Sequence, residues 1–231
     1  MTMIRVWMSI VLITLAMGVM AQKPAMEITG FAEKSIVPDE VIFNINLSVE
    51  EAEFGKTVDK LNEQMNRLKE KLRGAGVSED RMKTSNYNVS ENIKYESGKR
   101  TKLGYRGTHS LIVKAPFQNE NLKNIHNSIV VADVDLNFNI SFGISDAKMY
   151  QEELMVLAMT DARQKAEILS RAAGMTLGLI KSISYGQQPI SYPMRNYSSA
   201  MAMDRSAEID INPGNLKLSD RVFVVFELEA K

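Results

Sequence analysis

The chain has 231 residues with 28 basic and 28 acidic side chains, so its formal net charge is zero. Such a chain has no field that attracts nucleic acid or acidic substrates, and we expect neither as a partner. The sequence has no cysteine, which excludes disulfides, thiol catalysis and cysteine-based metal sites. Stability must therefore come from packing.

The first 21 residues have the three-part pattern of a secretory signal peptide. Arg5 precedes an apolar run from Val6 to Met20, and Val19 and Ala21 place small residues at the −3 and −1 positions of a cleavage site. The run is shorter than a membrane-spanning helix requires, and no later segment resembles a stop-transfer sequence. We predict export to the periplasm or cell envelope and no transmembrane segment after cleavage. An uncleaved N-terminal anchor is the alternative.

Apolar and polar residues alternate with a period of two in four later segments. This alternation predicts half-buried strands near residues 41–49, 87–95, 134–142 and 222–228. Strands with one apolar and one polar face are typical of an antiparallel or mixed sheet covered on one side.

Helical spacing of apolar residues appears three times between these strands. It predicts a helix at 54–73 that ends at Gly74, a short helix around Leu122–Ile129, and a long helix over Asp146–Ala173. We expect Ser145 to cap the long helix and Gly174 to end it. Its predicted core stripe is Met155, Met159, Ala162, Ala166, Leu169 and Ala173.

The order of elements predicts an α/β (α+β) fold with two strand–helix–strand units, at about 39–96 and 109–142. The helices at 54–73 and Asp146–Ala173 are expected to pack on one face of the sheet. Residues 187–215 lack periodicity and contain three prolines, which predicts a long loop. The loop contains Met194, Met201 and Met203. They belong to an ordinary loop, or they are sites of reversible oxidation, or they bind copper, for which more closely grouped methionine or histidine ligands are expected.

No catalytic, cofactor or metal-binding motif emerges from the sequence. His109 and His126 lie outside the motifs of nucleophilic or zinc catalysis, and Gly104–Gly107 is too short for a phosphate loop. The clustered glutamates have the positions expected of solvent-exposed faces: Glu50, Glu51, Glu53, Glu152 and Glu153. The spacing of Asp133, Asp135 and Asp146 does not fit a calcium-binding loop. We therefore predict a protein that is not an enzyme.

Asparagine recurs on the polar sides of the predicted strands, although it is a poor strand former. The positions of most interest are Asn44, Asn46, Asn137 and Asn139. Solvent exposure is one interpretation. The other is a face that meets a second subunit or lines an aqueous lumen, as polar inner walls do in water-filled barrels.

Six segments, in order, resemble the SIMPL-domain family, which includes 26-kDa periplasmic immunogenic proteins. They read ITGFAEKSIVPDEV from Ile28, GAGVSEDRMKTSNYNV from Gly74, GYRGTHSLIVK from Gly104, ISFGISD from Ile140, DARQKAEILSRAAGM from Asp161 and INPGNLKLSDRVFVVFEL from Ile211. The resemblance implies one exported α/β domain over 22–231. It also implies large ring-like or channel-like homo-oligomers, or a link to oxidative stress, and supplies no catalytic residues.

The resulting hypothesis is an exported, non-enzymatic homo-oligomer that supports envelope integrity or oxidative-stress tolerance, with peripheral envelope association as a further option. The alternative is a periplasmic module that binds a peptide, small ligand or metal through the 187–215 loop. An enzyme that depends on His109, His126 or Arg106 is the third hypothesis.

Overall fold

The computed structural model describes residues 23–186 and 211–231, together with the backbone of Tyr197 and Ser198. The predicted signal peptide and most of the 187–215 loop, including Met194, Met201 and Met203, lie outside the described residues. Backbone positions divide the described chain into two compact units. We call residues 33–151 with 197–198 and 211–218 the five-stranded unit, and 23–32, 152–186 and 219–231 the three-stranded unit. The α+β class predicted from the sequence is confirmed.

Eight strands occur in the described chain. They are β1 (Ala25–Ile36), β2 (Glu40–Glu51), β3 (Met82–Glu96), β4 (Lys99–Pro116), β5 (Leu136–Gly143), β6 (Met175–Ser184), β7 (Tyr197–Ser198) and β8 (Leu216–Ala230). The α-helices of the same residues are α1 (Phe54–Gly74), α2 (Asn119–Val131) and α3 (Ala147–Ala172), and a 3-10 turn spans Glu79–Arg81. The strands form two sheets, which differs from the single sheet that the strand patterns predict.

The five-stranded unit contains a sheet of order β3-β4-β2-β5-β7. Its four long strands pair antiparallel, with β2 between β4 and β5. The two predicted strand–helix–strand units are β2-α1-β3 and β4-α2-β5, and they interlock as in the split β-α-β arrangement of ferredoxin-like folds. The two-residue strand β7 pairs with β5 and lies inside the segment predicted to be a loop.

Helices α1 and α2 enclose the apolar core of this unit. The apolar spacing of α1 predicts a buried stripe of Phe54, Val58, Leu61, Met65, Leu68 and Leu72. The last four are buried, whereas Thr57 takes the buried position next to Val58 and Phe54 is exposed. The sheet contributes the alternate residues of β2, all of them buried: Val41, Phe43, Ile45, Leu47 and Val49. Alternation therefore determines which face of β2 enters the core.

The three-stranded unit contains the sheet of order β1-β8-β6, and α3 packs against β1. The two elements approach closely at Gly30, because a Cβ atom at this position would overlap the carbonyl oxygen of Ala158 and lie 2.8 Å from the Cβ of Ala162. Small residues on both elements allow this contact. The strand β6 pairs antiparallel with β8 and is exposed along most of its length.

Two expectations about α3 are wrong. Asp146, rather than Ser145, caps the helix, since its Oδ1 accepts the N–H of Met149 at 3.1 Å. Ser145 instead donates from both its N–H and its hydroxyl to the Asp39 carboxylate, at 2.7 and 2.6 Å. The buried stripe shares only Ala162 and Ala166 with the predicted one and consists of Leu154, Ala158, Ala162, Ala166 and Ser170. The predicted stop at Gly174 is confirmed by its positive φ of 72°.

Candidate functional surfaces

The sheet of the five-stranded unit brings the four predicted asparagines onto its polar face. Asn44 stands opposite Asn139, and Asn46 stands opposite Asn137, in adjacent rows of the β2–β5 pair. Neighbouring β4 adds Ser110 beside Asn46 in the same row. We call Asn44, Asn46, Asn137, Asn139 and the polar residues beside them on β3 and β4 the asparagine face.

Hydrogen bonds across strands satisfy part of this face. Ser110 Oγ donates to Asn46 Oδ1 at 2.7 Å, and Asn44 Nδ2 donates to Ser141 Oγ at 3.4 Å. Within the described chain, no hydrogen bond involves the side chains of Asn137 and Asn139. Their amides keep free donors and acceptors that water or another protein surface can satisfy.

Ion pairs border the asparagine face at both ends. Arg106 Nε donates to Glu50 at 2.8 Å, and Lys114 Nζ donates to Glu40 at 3.0 Å. The neighbouring carboxylates have bases of their own, because Glu51 pairs with Lys60 and Glu53 with Lys56. Between these pairs the face carries mainly uncharged polar side chains, together with the half-buried Ile42 and Ile112, so it can contact water or a polar surface without a large charge-desolvation cost.

The two histidines lie on the core side of the same unit. His109 Nε2 is 3.0 Å from Thr84 Oγ1, and the ring of His126 packs edge-on against Phe138. In the described structure, Nδ1 of His109 and Nε2 of His126 are buried without a hydrogen-bond partner. Burial lowers the pKa of both histidines, assisted at His109 by the charge of Lys69 and opposed at His126 by Asn127.

We expect this burial to make folding stability dependent on pH. The unfolded chain binds protons at the ordinary histidine pKa of 6.5, and the folded chain binds them more weakly. The two histidines should therefore not reduce the free energy of unfolding above about pH 6.5, and that free energy should fall as the pH drops below this value. Urea unfolding at pH 7.5 and pH 5.5 measures this loss, which should be smaller in His126→Gln. Equal losses in both proteins would show that His126 does not contribute.

The three-stranded unit exposes much apolar surface. Among the described residues, ten of the seventeen exposed large hydrophobic side chains belong to it: Phe31, Met155, Val156, Leu157, Ile168, Leu169, Leu179, Ile180, Ile183 and Phe223. Leu179 is 76% exposed and Ile168 is 59% exposed. We call this set the apolar surface. Sequence spacing placed Met155 and Leu169 in the core, and the presence of apolar residues on several sides of α3 was the signal that they need a further covering surface.

A shallow groove of about 300 Å³ lies within this unit, between β1 and α3. Ile28, Ile168 and Leu169 line it together with Lys165. Beside the groove, the Phe31 N–H donates to Asp161 Oδ2 at 2.8 Å, and Lys165 Nζ donates to the Thr29 carbonyl at 3.3 Å. These two side chains occupy free backbone groups of the edge strand β1, which protects it from pairing with another chain.

The contacts of Asp161 also lower the pKa of its carboxyl group. The hydrogen bond from Lys165 is the larger cause, and the Phe31 N–H adds to it. Lys165 follows Asp161 by four residues on α3, and its Nζ lies 2.6 Å from Asp161 Oδ2. These contacts show that Asp161 and Lys165 help to hold α3 against β1.

No group of three or more histidine, aspartate and glutamate side chains in the part of the chain that the structure describes is arranged to hold a metal ion. Among the helices built from these residues, none combines the length and the apolar character needed to cross a membrane.

These surfaces belong to an α+β protein with an asparagine-rich sheet face and a separate apolar surface. The model of the family described as "SIMPL: Protein of unknown function (DUF541)" matches residues 26–226, which include parts of both units. The chain therefore belongs to the SIMPL family, and the resemblance noted in the sequence is confirmed.

Similar proteins cover nearly the whole chain. The uncharacterized protein YggE of Edwardsiella ictaluri is 24% identical over 211 residues, which are 89% of this chain and 87% of that protein. YggE of Escherichia coli K12 is 22% identical over 209 residues, or 89% and 84% of the two chains. The 26 kDa periplasmic immunogenic protein of Brucella melitensis is 23% identical over 219 residues, or 91% and 87%. None of these names states an activity.

Proposed function

We propose that this SIMPL protein is a non-enzymatic protein of the periplasm or cell envelope that assembles into homo-oligomers. The apolar surface of the three-stranded unit is the observation that carries the proposal. Soluble monomers rarely expose large apolar patches, and such patches usually mark contacts with other molecules. A second copy of the chain supplies an equally apolar surface and so removes both from water.

Two observations support the proposed location in the periplasm or cell envelope, and both come from the sequence and its relatives. The first 21 residues have the pattern of a cleavable signal peptide. A relative that is 23% identical over 219 residues carries the word periplasmic in its name. Mass spectrometry of the protein isolated from the periplasm tests the location, and a mature chain that starts at Gln22 is the expected result.

The apolar surface predicts how assembly can be broken. Ile168→Glu with Leu169→Glu places two charges at the groove, where association would have to desolvate them. We expect the mass measured by light scattering to fall by at least half, while the circular dichroism spectrum is unchanged. Val131→Glu is the control, because Val131 is 63% exposed on α2 in the five-stranded unit. Equal masses for the double variant and the wild type would contradict this role.

The asparagine face is the second surface that the proposed assembly uses. We propose that it contacts water in the lumen of the assembly or a polar surface of a neighbouring subunit. Asn137→Val with Asn139→Val would add two β-branched apolar residues to this face. We expect mis-assembly or aggregation, seen as a changed solution mass and lower solubility. An unchanged mass with unchanged solubility would count against the proposal.

Support for envelope integrity or oxidative-stress tolerance comes from the family resemblance alone. A deletion strain exposed to peroxide and to detergent tests both. Greater sensitivity that is restored by the wild-type gene is the expected result. Sensitivity equal to that of the parent strain would contradict a role in envelope integrity and in oxidative-stress tolerance.

A further inference from the structure

We propose that the end of the β3–β4 hairpin is an arm that binds the anionic surface of a lipid bilayer. The arm consists of residues 93–103. It combines exposed aromatic and aliphatic side chains with a local excess of positive charge. The inference adds a partner to the envelope role proposed above and rests on that role for its compartment.

The arm is a two-stranded ribbon that continues past the sheet. The last residue of β2, Glu51, pairs with Tyr105, so β3 is the only described strand that pairs with β4 beyond that point. Ribbons of two strands are marginally stable without further packing. A sequence that maintains one in solvent therefore needs specific local features.

Local geometry supplies these features. Ser97 and Gly98 form the turn with φ angles of 48° and 77°, as the favoured two-residue hairpin turns require. At the base, the register shifts between Asn92 and Ile93 because Leu103 is an extra residue in β4. Such bulges bend a ribbon and redirect its side chains. The hairpin is thus a formed structural element rather than an irregular loop.

Charge is distributed unevenly on the arm. Between Ile93 and Leu103 there are four cations, Lys94, Lys99, Arg100 and Lys102, and one carboxylate, Glu96. Within the arm Lys94 Nζ lies 2.6 Å from Glu96 Oε1, and Glu91, at the base, lies 2.9 Å from both Arg100 and Lys102. Among the described residues, Lys99 makes no ion pair. The arm therefore presents net positive charge on a chain whose total charge is zero.

Apolar side chains accompany these cations. Tyr95 is 70% exposed and stands opposite Arg100, and Leu103 is 55% exposed. Tyrosine is enriched at the boundary between lipid and water, where its ring contacts the acyl region and its hydroxyl stays wet. Lysine and arginine near such residues are attracted to anionic headgroups. This combination fits a bilayer surface better than a second copy of this neutral chain.

Vesicle sedimentation tests the inference with residues 22–231. The probes are vesicles of phosphatidylcholine alone and of phosphatidylcholine with phosphatidylglycerol in equal amounts. We expect binding to the anionic vesicles only, weakened about tenfold or more at 0.5 M salt because the ions screen the attraction. Lys99→Glu with Arg100→Glu should lower binding by about tenfold or more. Tyr95→Ser with Leu103→Ser is an independent variant that should also lower binding while leaving the charge intact.

The control variant is Lys71→Glu with Arg81→Glu, which makes the same change in net charge at exposed positions outside the arm, the asparagine face and the apolar surface. It should bind as the wild type does. Equal binding to both vesicle types, or wild-type binding by both arm variants, would overturn the inference. Arm variants that lose solution mass together with vesicle binding would also overturn it, since the arm would then contact a second copy. If the protein is monomeric and still binds the anionic vesicles through the arm, the proposal of self-association is wrong and the proposal of membrane binding stands.

Discussion

Replacing Gly30 by alanine should destabilise the three-stranded unit by about 3 kcal/mol, at the upper end of the usual cost of overpacking. The added methyl group would overlap the carbonyl oxygen of Ala158 and press on Ala162. Both are backbone-anchored positions on α3, so no flexible side chain can move aside. The helix would have to shift away from β1, which would also strain the contacts of Asp161 and Lys165 with the edge of β1.

Urea unfolding followed by circular dichroism measures this loss, and Gly55→Ala is the matched control. Gly55 lies in the first turn of α1, and a Cβ atom there would have no heavy atom within 4 Å. Alanine at that position should be neutral or stabilising by up to about 1 kcal/mol, because it restricts the unfolded chain. A Gly30→Ala protein as stable as Gly55→Ala would show that α3 does not pack on β1 in the described way.

Gly104→Ala should have the second large effect and should act on the arm. Gly104 has a φ of 137°, which side chains rarely adopt, and its Cβ atom would overlap the carbonyl oxygen of Glu51 and lie 3.1 Å from the Cα of Ala52. Strain and overlap together should cost about 2–4 kcal/mol. The base of the arm would have to move away from the end of β2.

Gly98→Ala separates the two causes. Gly98 also has a positive φ, 77°, but a Cβ atom there would meet open space. This variant should cost only about 1–2 kcal/mol, the usual penalty for a left-handed residue with a side chain. Unfolding experiments on both variants and vesicle binding of Gly104→Ala provide the measurements. Equal losses in the two variants would mean that the contact with Glu51 contributes nothing.

The sequence predicted the elements of the five-stranded unit because local patterns dominate there. The spacing of Leu61, Met65 and Leu68 determined the buried face of α1, and Gly74 is the last residue of the helix. Alternation along β2 and β5 likewise placed Asn46 and Asn137 on one face. A period of two fixes the face of every residue in a strand, so this candidate surface could be located before its neighbours were known.

The three-stranded unit could not be predicted in the same way. The core stripe of α3 is made mostly of alanines, whose burial depends on the partner strand rather than on their own hydrophobicity. Gly30, 128 residues before Ala158, is the residue that permits the close approach, and nothing local to α3 indicates it. The larger residues Met155 and Leu169 carried the stronger apolar signal but are exposed. The apolar surface was missed for this reason.

The arm shows a similar limit. Period-two alternation around Tyr87–Tyr95 predicted a half-buried strand, but β3 is exposed along most of its length. The strand is at the edge of its sheet, and its second half continues beyond β2. Alternation reports which side chains share a face, whereas burial requires an element to cover that face. The prediction of half-burial was therefore wrong although the strand itself was present.

Self-association is most directly tested by the solution mass of residues 22–231, measured by light scattering across a range of concentrations. The only tryptophan, Trp7, precedes this segment, so refractive index should report the concentration. A discrete oligomer whose mass does not change with concentration is the result we expect from the apolar surface. A stable monomer over the whole range would contradict assembly.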